Sequence, residues 1–296
     1  MNFRTDLALE QKEYLKKDVL DGVLCETFSH ADSKITRIKV INEQGERTLG
    51  KPQGSYVTVE TKNFSNCHSI TDESMETVRD ELQRLLPESG TVLTAGLGNV
   101  KITPDALGPK CSENIFATRH LKKEFAEKLG LGGLRPVACI NPGVLGQTGV
   151  ETGEIIAGAV RTVSPAAVIV IDALAARRLS RLGCTVQIAT SGIIPGSGVG
   201  NARAEISEKT LGVPVISIGI PTVVDAATLA HDIISESNGQ DTPEFQDSVE
   251  PHSAQMMITP KEVDIMIERA SKFLAMAINC ALQPTLSADE LLQLMG

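Results

Sequence analysis

The stretch VIVIDALAAR, residues 168–177, constrains this chain more than any other. Val168 to Ile171 are four β-branched residues in a row. Such a run reads as a strand buried on both faces, as in a parallel sheet covered by helices. Asp172 closes the run, and helix formers follow it: Ala173, Leu174, Ala175 and Ala176. The expectation is a helix over 173–182 with Asp172 at the strand's carboxyl end. That end is where ligands sit in open α/β sheets. A carboxylate there is costly to bury unless it is paired or used. The competing reading is a helix N-cap, a position Asp favours.

A second carboxylate has a similar setting. TVLTAGLGN, residues 91–99, is strand-like and breaks into glycines, and KITPDALGPK follows with Asp105 after Pro104. Both aspartates precede Ala-Leu, but the flanks match no further, so this is no internal repeat. Two strand-end carboxylates converging on one cleft are the raw material of general acid–base hydrolysis. Asp225 in PTVVDAATL is a third candidate, adequately explained as a carboxylate at a helix N-terminus.

From residue 91 onward strands and helices alternate. Strands are expected near 91–97, 136–140, 167–172, 185–189 and 214–220. Helices are expected near 110–129, 151–163, 173–182 and 221–235. This is the pattern of a three-layer α/β/α domain with a mainly parallel sheet. Residues 34–62 alternate apolar with polar around a glycine-rich turn and read as a small β-rich insertion of antiparallel strands. Glu10 to Leu20 reads as a helix with a thin apolar face. Residues 71–86 read as a helix capped by Asp72 with one apolar stripe. Thr259 to Glu262 reads as a capping box with Pro at the first helical position, and Ser287 with Glu290 as another. Residues 236–257 are a polar surface loop. No linker divides the 296 residues, which are read as one domain.

Charge and cysteine usage exclude several classes. A net charge of −9 argues against nucleic acid as a direct partner, since phosphate binding wants Lys and Arg patches. The six cysteines, at 25, 67, 111, 139, 184 and 280, form no CxxC pair and are read as reduced thiols of a cytoplasmic protein. The charged N-terminus is no signal peptide, and no apolar run reaches membrane-spanning length. The five histidines show no metal-ligand spacing, and no metal or cofactor is expected. There is no GxSxG elbow and no Asp-Thr/Ser-Gly triplet. The loop SGIIPGSGVGN, 191–201, follows a strand. It matches neither a Walker nor a GxGxxG pattern, so it reads as the wall of a substrate cleft before it reads as a phosphate cradle.

Taken together, RTDLALE (4–10), TAGLGN (94–99), TPDALGPK (103–110), TRHL (118–121), PGVLGQTGVET (142–152), VIVIDALAAR (168–177), IPGSGVGN (194–201) and GIPTVVDAATL (219–229) resemble the germination protease family of spore-forming bacteria. The resemblance runs from the N-terminus to about residue 235. It implies an endopeptidase that degrades small acid-soluble spore proteins at germination. It implies a cytoplasmic homotetramer of the spore core, made as a zymogen that trims its own N-terminus. It implies an atypical aspartic mechanism whose two aspartates fall on Asp105 and Asp172. The trimmed bond falls between Asp6 and Leu7, making 1–6 a propeptide. The family's fold is similar to that of hydrogenase-maturation proteases, where related positions bind metal.

On this reading one of Asp105 and Asp172 is ionised and the other protonated, and sequence does not say which. Backbone amides around Gly196, Ser197, Gly198 and Gly200 are the expected oxyanion stabilisers. Residues 4–10 are expected to be accessible, because termini fray unless tied down, and in the zymogen to occupy or block the cleft. The alternatives are a metallopeptidase using the same carboxylates as ligands, and a non-catalytic phosphate- or nucleotide-binding module using 191–201.

Overall fold

The structure is a computed structural model that describes residues 4–17, 19–66, 69–121, 132–236 and 256–295. Its centre is one sheet in the order β1-β2-β3-β7-β8-β6-β4-β5, with β9 on the end of β8. The strands are β1 (Val23–His30), β2 (Ser33–Val40), β3 (Gly54–Glu60), β4 (Val92–Gly96), β5 (Val137–Ile140), β6 (Ala167–Ala176), β7 (Thr185–Ala189), β8 (Val215–Asp225) and β9 (Met257–Ile258). Strands β5, β4, β6 and β8 run parallel, and β7, β3, β2 and β1 continue the sheet antiparallel.

Period-two alternation assigns the two faces. Ile169, Ile171, Ile216, Ile218, Val186 and Ile188 pack on one side, against α3 (Glu73–Gln83) and the long helix Val263–Leu282. Val168, Val170, Val215, Leu93 and Ala95 pack on the other, against Ile156 and Val160 of the helix Thr152–Val163. The antiparallel half covers the same second face with α1 (Ala8–Leu15) and α2 (Glu43–Leu49). The architecture is the three-layer α/β/α expected. The 34–62 segment belongs to the main sheet, because β3 pairs with β7 over Tyr56–Glu60, and it carries α2 between its strands.

Several local expectations are corrected. There is no helix over 173–182: β6 runs on to Ala176, and only a 3₁₀ turn, Leu179–Arg181, follows. Ala and Leu favour helix, but β8 is 11 residues long and offers a partner as far as Val224, so strand pairing overrides propensity. The helix expected from 221 starts at Ala226, because the β-branched Thr222, Val223 and Val224 continue β8 as strand. The first helix spans Ala8–Leu15 rather than starting at Glu10, and β1 was not anticipated, since all of its residues are partly or fully exposed. Thr259 caps nothing; its hydroxyl donates to Thr222 O and the helix begins at Val263. The Asp72 cap and the Ser287–Glu290 capping box are as expected. The helix expected over 110–129 is a short one, Leu107–Ser112, with turn and coil over 113–121; residues 122–129, most of the 236–257 loop, and Cys67 lie outside the described residues.

Candidate functional site

Asp172 is not at a strand end. It lies inside β6, opposite Gly219 of β8, and is 7% exposed. The N-cap reading therefore falls. Its Oδ1 accepts from the Ala173 N–H at 2.9 Å. A side chain at 219 would collide with the Asp172 backbone, a Cβ falling 2.3 Å from its carbonyl oxygen, so the glycine is what lets β8 pass.

Asp105 arrives from the other side of β6. β4 ends at Gly96, and the chain turns through Gly98 at φ +115° into a 3₁₀ turn, Thr103–Asp105. A Cβ on Gly98 would sit 2.0 Å from the Asp105 carbonyl oxygen, so only glycine allows this return. The Asp105 Oδ2 accepts from Asn99 N at 2.7 Å. Thr222 of β8 fixes the turn from the far side, its hydroxyl donating to Pro104 O at 2.8 Å. Gly108 lets α4 (Leu107–Ser112) lie directly on β4 and β6; a Cβ there would meet Leu97 O at 2.2 Å and Ile171 O at 2.5 Å.

Electrostatics separates the two acids. Burial, then the neighbouring charges of Asp105 and Asp6, hold the Asp172 carboxyl well above its ordinary value, offset only in part by the Ala173 N–H. Burial also raises Asp105, and the Asn99 N–H draws it back. Both carboxyls are thus held above their ordinary value, and Asp172, which feels the charges of two carboxylates besides its burial, is raised the further.

The third carboxylate of this neighbourhood comes from the N-terminal segment, which is docked rather than frayed. Beyond Ile171 β6 has lost β4 as a partner, and residues 6 and 10 take its place. Asp6 N donates to Ala175 O at 2.9 Å, and Ala175 N donates to Asp6 Oδ2 at 2.8 Å. Glu10, 2% exposed, accepts from Arg177 N at 2.6 Å, Arg178 N at 3.0 Å and the Thr5 hydroxyl. Leu7 is fully buried with Leu174, Ala176, Leu182 and Val224. Arg4 reaches Asp225 at 3.2 Å. Asp225 also caps the helix Ala226–Glu236, accepting from Thr228 N at 2.9 Å, as the sequence suggested.

The Asp6 backbone carbonyl, which opens the Asp6–Leu7 bond, accepts from Lys51 Nζ at 3.1 Å and Gln187 Nε2 at 2.9 Å. A cleft of about 650 Å³ adjoins this segment, bordered by Asp6, Lys51, Leu174, Gln187 and Gly198, among others. Asp105 and Asp172 do not border it. The loop 191–201 meets the Asp6 side chain instead of a carbonyl. Ser197 Oγ donates to Asp6 Oδ1 at 3.2 Å, and a Cβ on Gly198 would fall 2.2 Å from Asp6 Oδ2. The amides of Ser197 and Gly200 are used in the loop's own turns, donating to Ile194 O and Ser197 O, and Gly196 and Gly200 sit at positive φ to make those turns. Those two of the four expected oxyanion donors are thus engaged within the loop. Glu10, Lys51 and Gln187 were not singled out from the sequence. Only the RTDLALE match pointed near them.

Among the described residues no group of three or more His, Cys, Asp or Glu side chains could hold a metal ion. His30 Nδ1 lies 3.3 Å from the Thr77 hydroxyl, a structural contact. Cys111 and Cys280 are buried, and Cys25 is exposed. No helix among the described residues is long and apolar enough to cross a membrane.

A buried carboxyl raised well above its ordinary value, a second raised carboxyl whose charge acts on it and a peptide segment docked nearby are the kinds of group that acid–base hydrolysis employs. The comparisons with known proteins narrow that class. The germination protease family model matches residues 4–244. Germination proteases of Clostridium perfringens and Clostridium acetobutylicum are 42% and 43% identical, the first over 98% of both chains and the second over 97% of both. That of Priestia megaterium is 44% identical over 78% of this chain and 66% of its own. This chain belongs to the germination protease family and is a protease. A nickel–iron hydrogenase maturation protease of Thermococcus kodakarensis aligns with 68% of this chain and 98% of its own, at 18% identity and a TM-score of 0.38. The α/β assignment rests on the sheet described above.

Proposed function

We propose that this protease cleaves small acid-soluble spore proteins when a spore germinates, and that Asp105 and Asp172 form its acid–base pair. It acts in the cytoplasm of the spore core as a homotetramer. It is made as a zymogen that removes residues 1–6 from itself by hydrolysing the Asp6–Leu7 bond. No metal takes part.

The observation that carries this reading is the environment of Asp172. Burial and two neighbouring carboxylates keep it protonated, beside a segment whose Asp6–Leu7 bond is held by hydrogen bonds on both sides. Ionised Asp105 takes a proton from water. The water oxygen bonds to the Asp6 carbonyl carbon. As the C–N bond breaks, Asp172 gives its proton to the Leu7 nitrogen. The docked segment fills the place a substrate would take, which accounts for inactivity before trimming. The new end, Leu-Ala-Leu-Glu, then leads the mature chain.

The test is N-terminal mass analysis of wild type and Asp172→Asn after incubation at mildly acidic pH. Wild type sheds residues 1–6 and the mutant does not. Equal rates in both would assign the cut to a contaminating protease and remove the self-cleavage.

A further inference from the structure

We infer that Lys51 and Gln187 form the oxyanion site of this protease, the donors that hold the negative charge growing on the scissile carbonyl oxygen. This rests on the reading that the Asp6–Leu7 bond is the one cut.

Both donors already touch the carbonyl oxygen of Asp6, at 3.1 Å and 2.9 Å. Gln187 is fixed in that role by its other half. Its Oε1 accepts from Ala8 N at 2.8 Å, so its amide N–H must face the Asp6 carbonyl. It projects from β7, in the middle of the sheet, and is 7% exposed, so its position is rigid. Lys51 follows Gly50, which ends α2 at φ +70°, and its ammonium bridges the carbonyls of Thr5 and Asp6. Among the described residues Lys51 forms no ion pair within 4 Å.

Burial pushes the Lys51 ammonium below the ordinary lysine value, and the charges of Asp6 and Glu10 draw it back; a neutral carbonyl is a modest partner for such a desolvated ammonium. An oxyanion is a strong one. A cation aimed at a neutral oxygen in the ground state is therefore arranged to bind the transition state better than the substrate. The chemistry balances with water alone. Asp105 takes the proton as the water oxygen bonds to carbon. The C=O electron pair moves onto the oxygen, where Lys51 and Gln187 hold it. On collapse the pair re-forms C=O, the C–N bond breaks and Asp172 protonates Leu7 N. The loop 191–201 is thereby left with the carboxylate of Asp6, which Ser197 and Ala175 bind.

The competing role is simple anchoring of the segment. Full-length Lys51→Met and Lys51→Arg proteins separate the two roles. The first-order loss of residues 1–6 is followed by mass, and docking of the segment by hydrogen exchange at Asp6 and Ala8. Oxyanion binding predicts that Lys51→Met slows the cut by roughly 10²–10³-fold with protection of Asp6 and Ala8 unchanged. Lys51→Arg should recover most of the rate. If Lys51→Met fails to fold, Gln187→Glu, which keeps the acceptor for Ala8 N and removes the donor to Asp6 O, carries the test with the same expected loss of rate. Cleavage by Lys51→Met within threefold of wild type would overturn the inference, and so would slowing that tracks loss of segment protection. Failure of wild type itself to shed residues 1–6 would instead overturn the reading on which it rests, and this inference with it.

Discussion

Asp172→Asn gives the sharpest quantitative consequence of a buried, protonated acid. The amide keeps the volume, and its oxygen can still accept from the Ala173 N–H as Asp172 Oδ1 does at 2.9 Å. What it removes is titration. In the unfolded chain Asp172 ionises near its ordinary value of 3.8, whereas in the fold burial and the charges of Asp105 and Asp6 keep it protonated well above that. Its contribution to stability is fully present below about pH 4 and is lost as pH rises toward the folded value. In that window the folded state binds one proton more than the unfolded state. Wild-type stability then falls by about 1.4 kcal/mol for each pH unit relative to the mutant. Urea unfolding of both proteins from pH 4 to pH 8 reads this directly. The mutant should match wild type near pH 4 and exceed it by a margin that grows with pH. Glu10 and Asp105, also raised by burial, titrate in both proteins and largely cancel. Parallel curves over the whole range would refute the protonated-acid argument.

Three further outcomes follow from the same geometry. Leu7→Ala empties a fully buried pocket, costing about 2–5 kcal/mol of docking, so amide exchange at Asp6 and Ala8 should rise more than tenfold; unchanged protection would deny Leu7 its anchoring role. The rate of peptide cleavage should be bell-shaped in pH, with an acid limb above 3.8 where Asp105 is protonated and an alkaline limb where Asp172 ionises; a rate that only rises with pH would contradict the pair. Alkylation of the native protein should reach exposed Cys25 and spare buried Cys111 and Cys280, leaving activity within a few-fold, whereas stoichiometric inactivation tracking one thiol would revive a cysteine nucleophile.

The parallel core was legible because β-branched runs such as Val168–Ile171 have few other homes, and the Glu73–Gln83 helix because its cap and apolar stripe agree. The length of β6 was not, since Ala173–Ala176 pair with β8 against their local helix propensity, and β8 runs on through the β-branched Thr222, Val223 and Val224 that had been read as the start of a helix. The two aspartates were singled out for a partly mistaken reason. Asp172 lies within a strand, and what sets it apart is its burial and the charges of Asp105 and Asp6, a neighbourhood no local pattern encodes. The clamp on residues 4–10 was hidden for the same reason. Asp6 meets Ala175 across 169 residues of chain and Ser197 across 191. A short polar segment with no periodicity carries no mark of such partners. The expectation that the N-terminus frays came from a general tendency that this docking overrides.

The central claim is that two aspartates perform the hydrolysis. Its most direct measurement is turnover of a small acid-soluble spore protein by wild type, Asp105→Asn and Asp172→Asn, each first freed of residues 1–6 and each checked for native unfolding. Wild type should cleave, and both mutants should lose cleavage while remaining folded. Near-wild-type turnover by either folded mutant would contradict it.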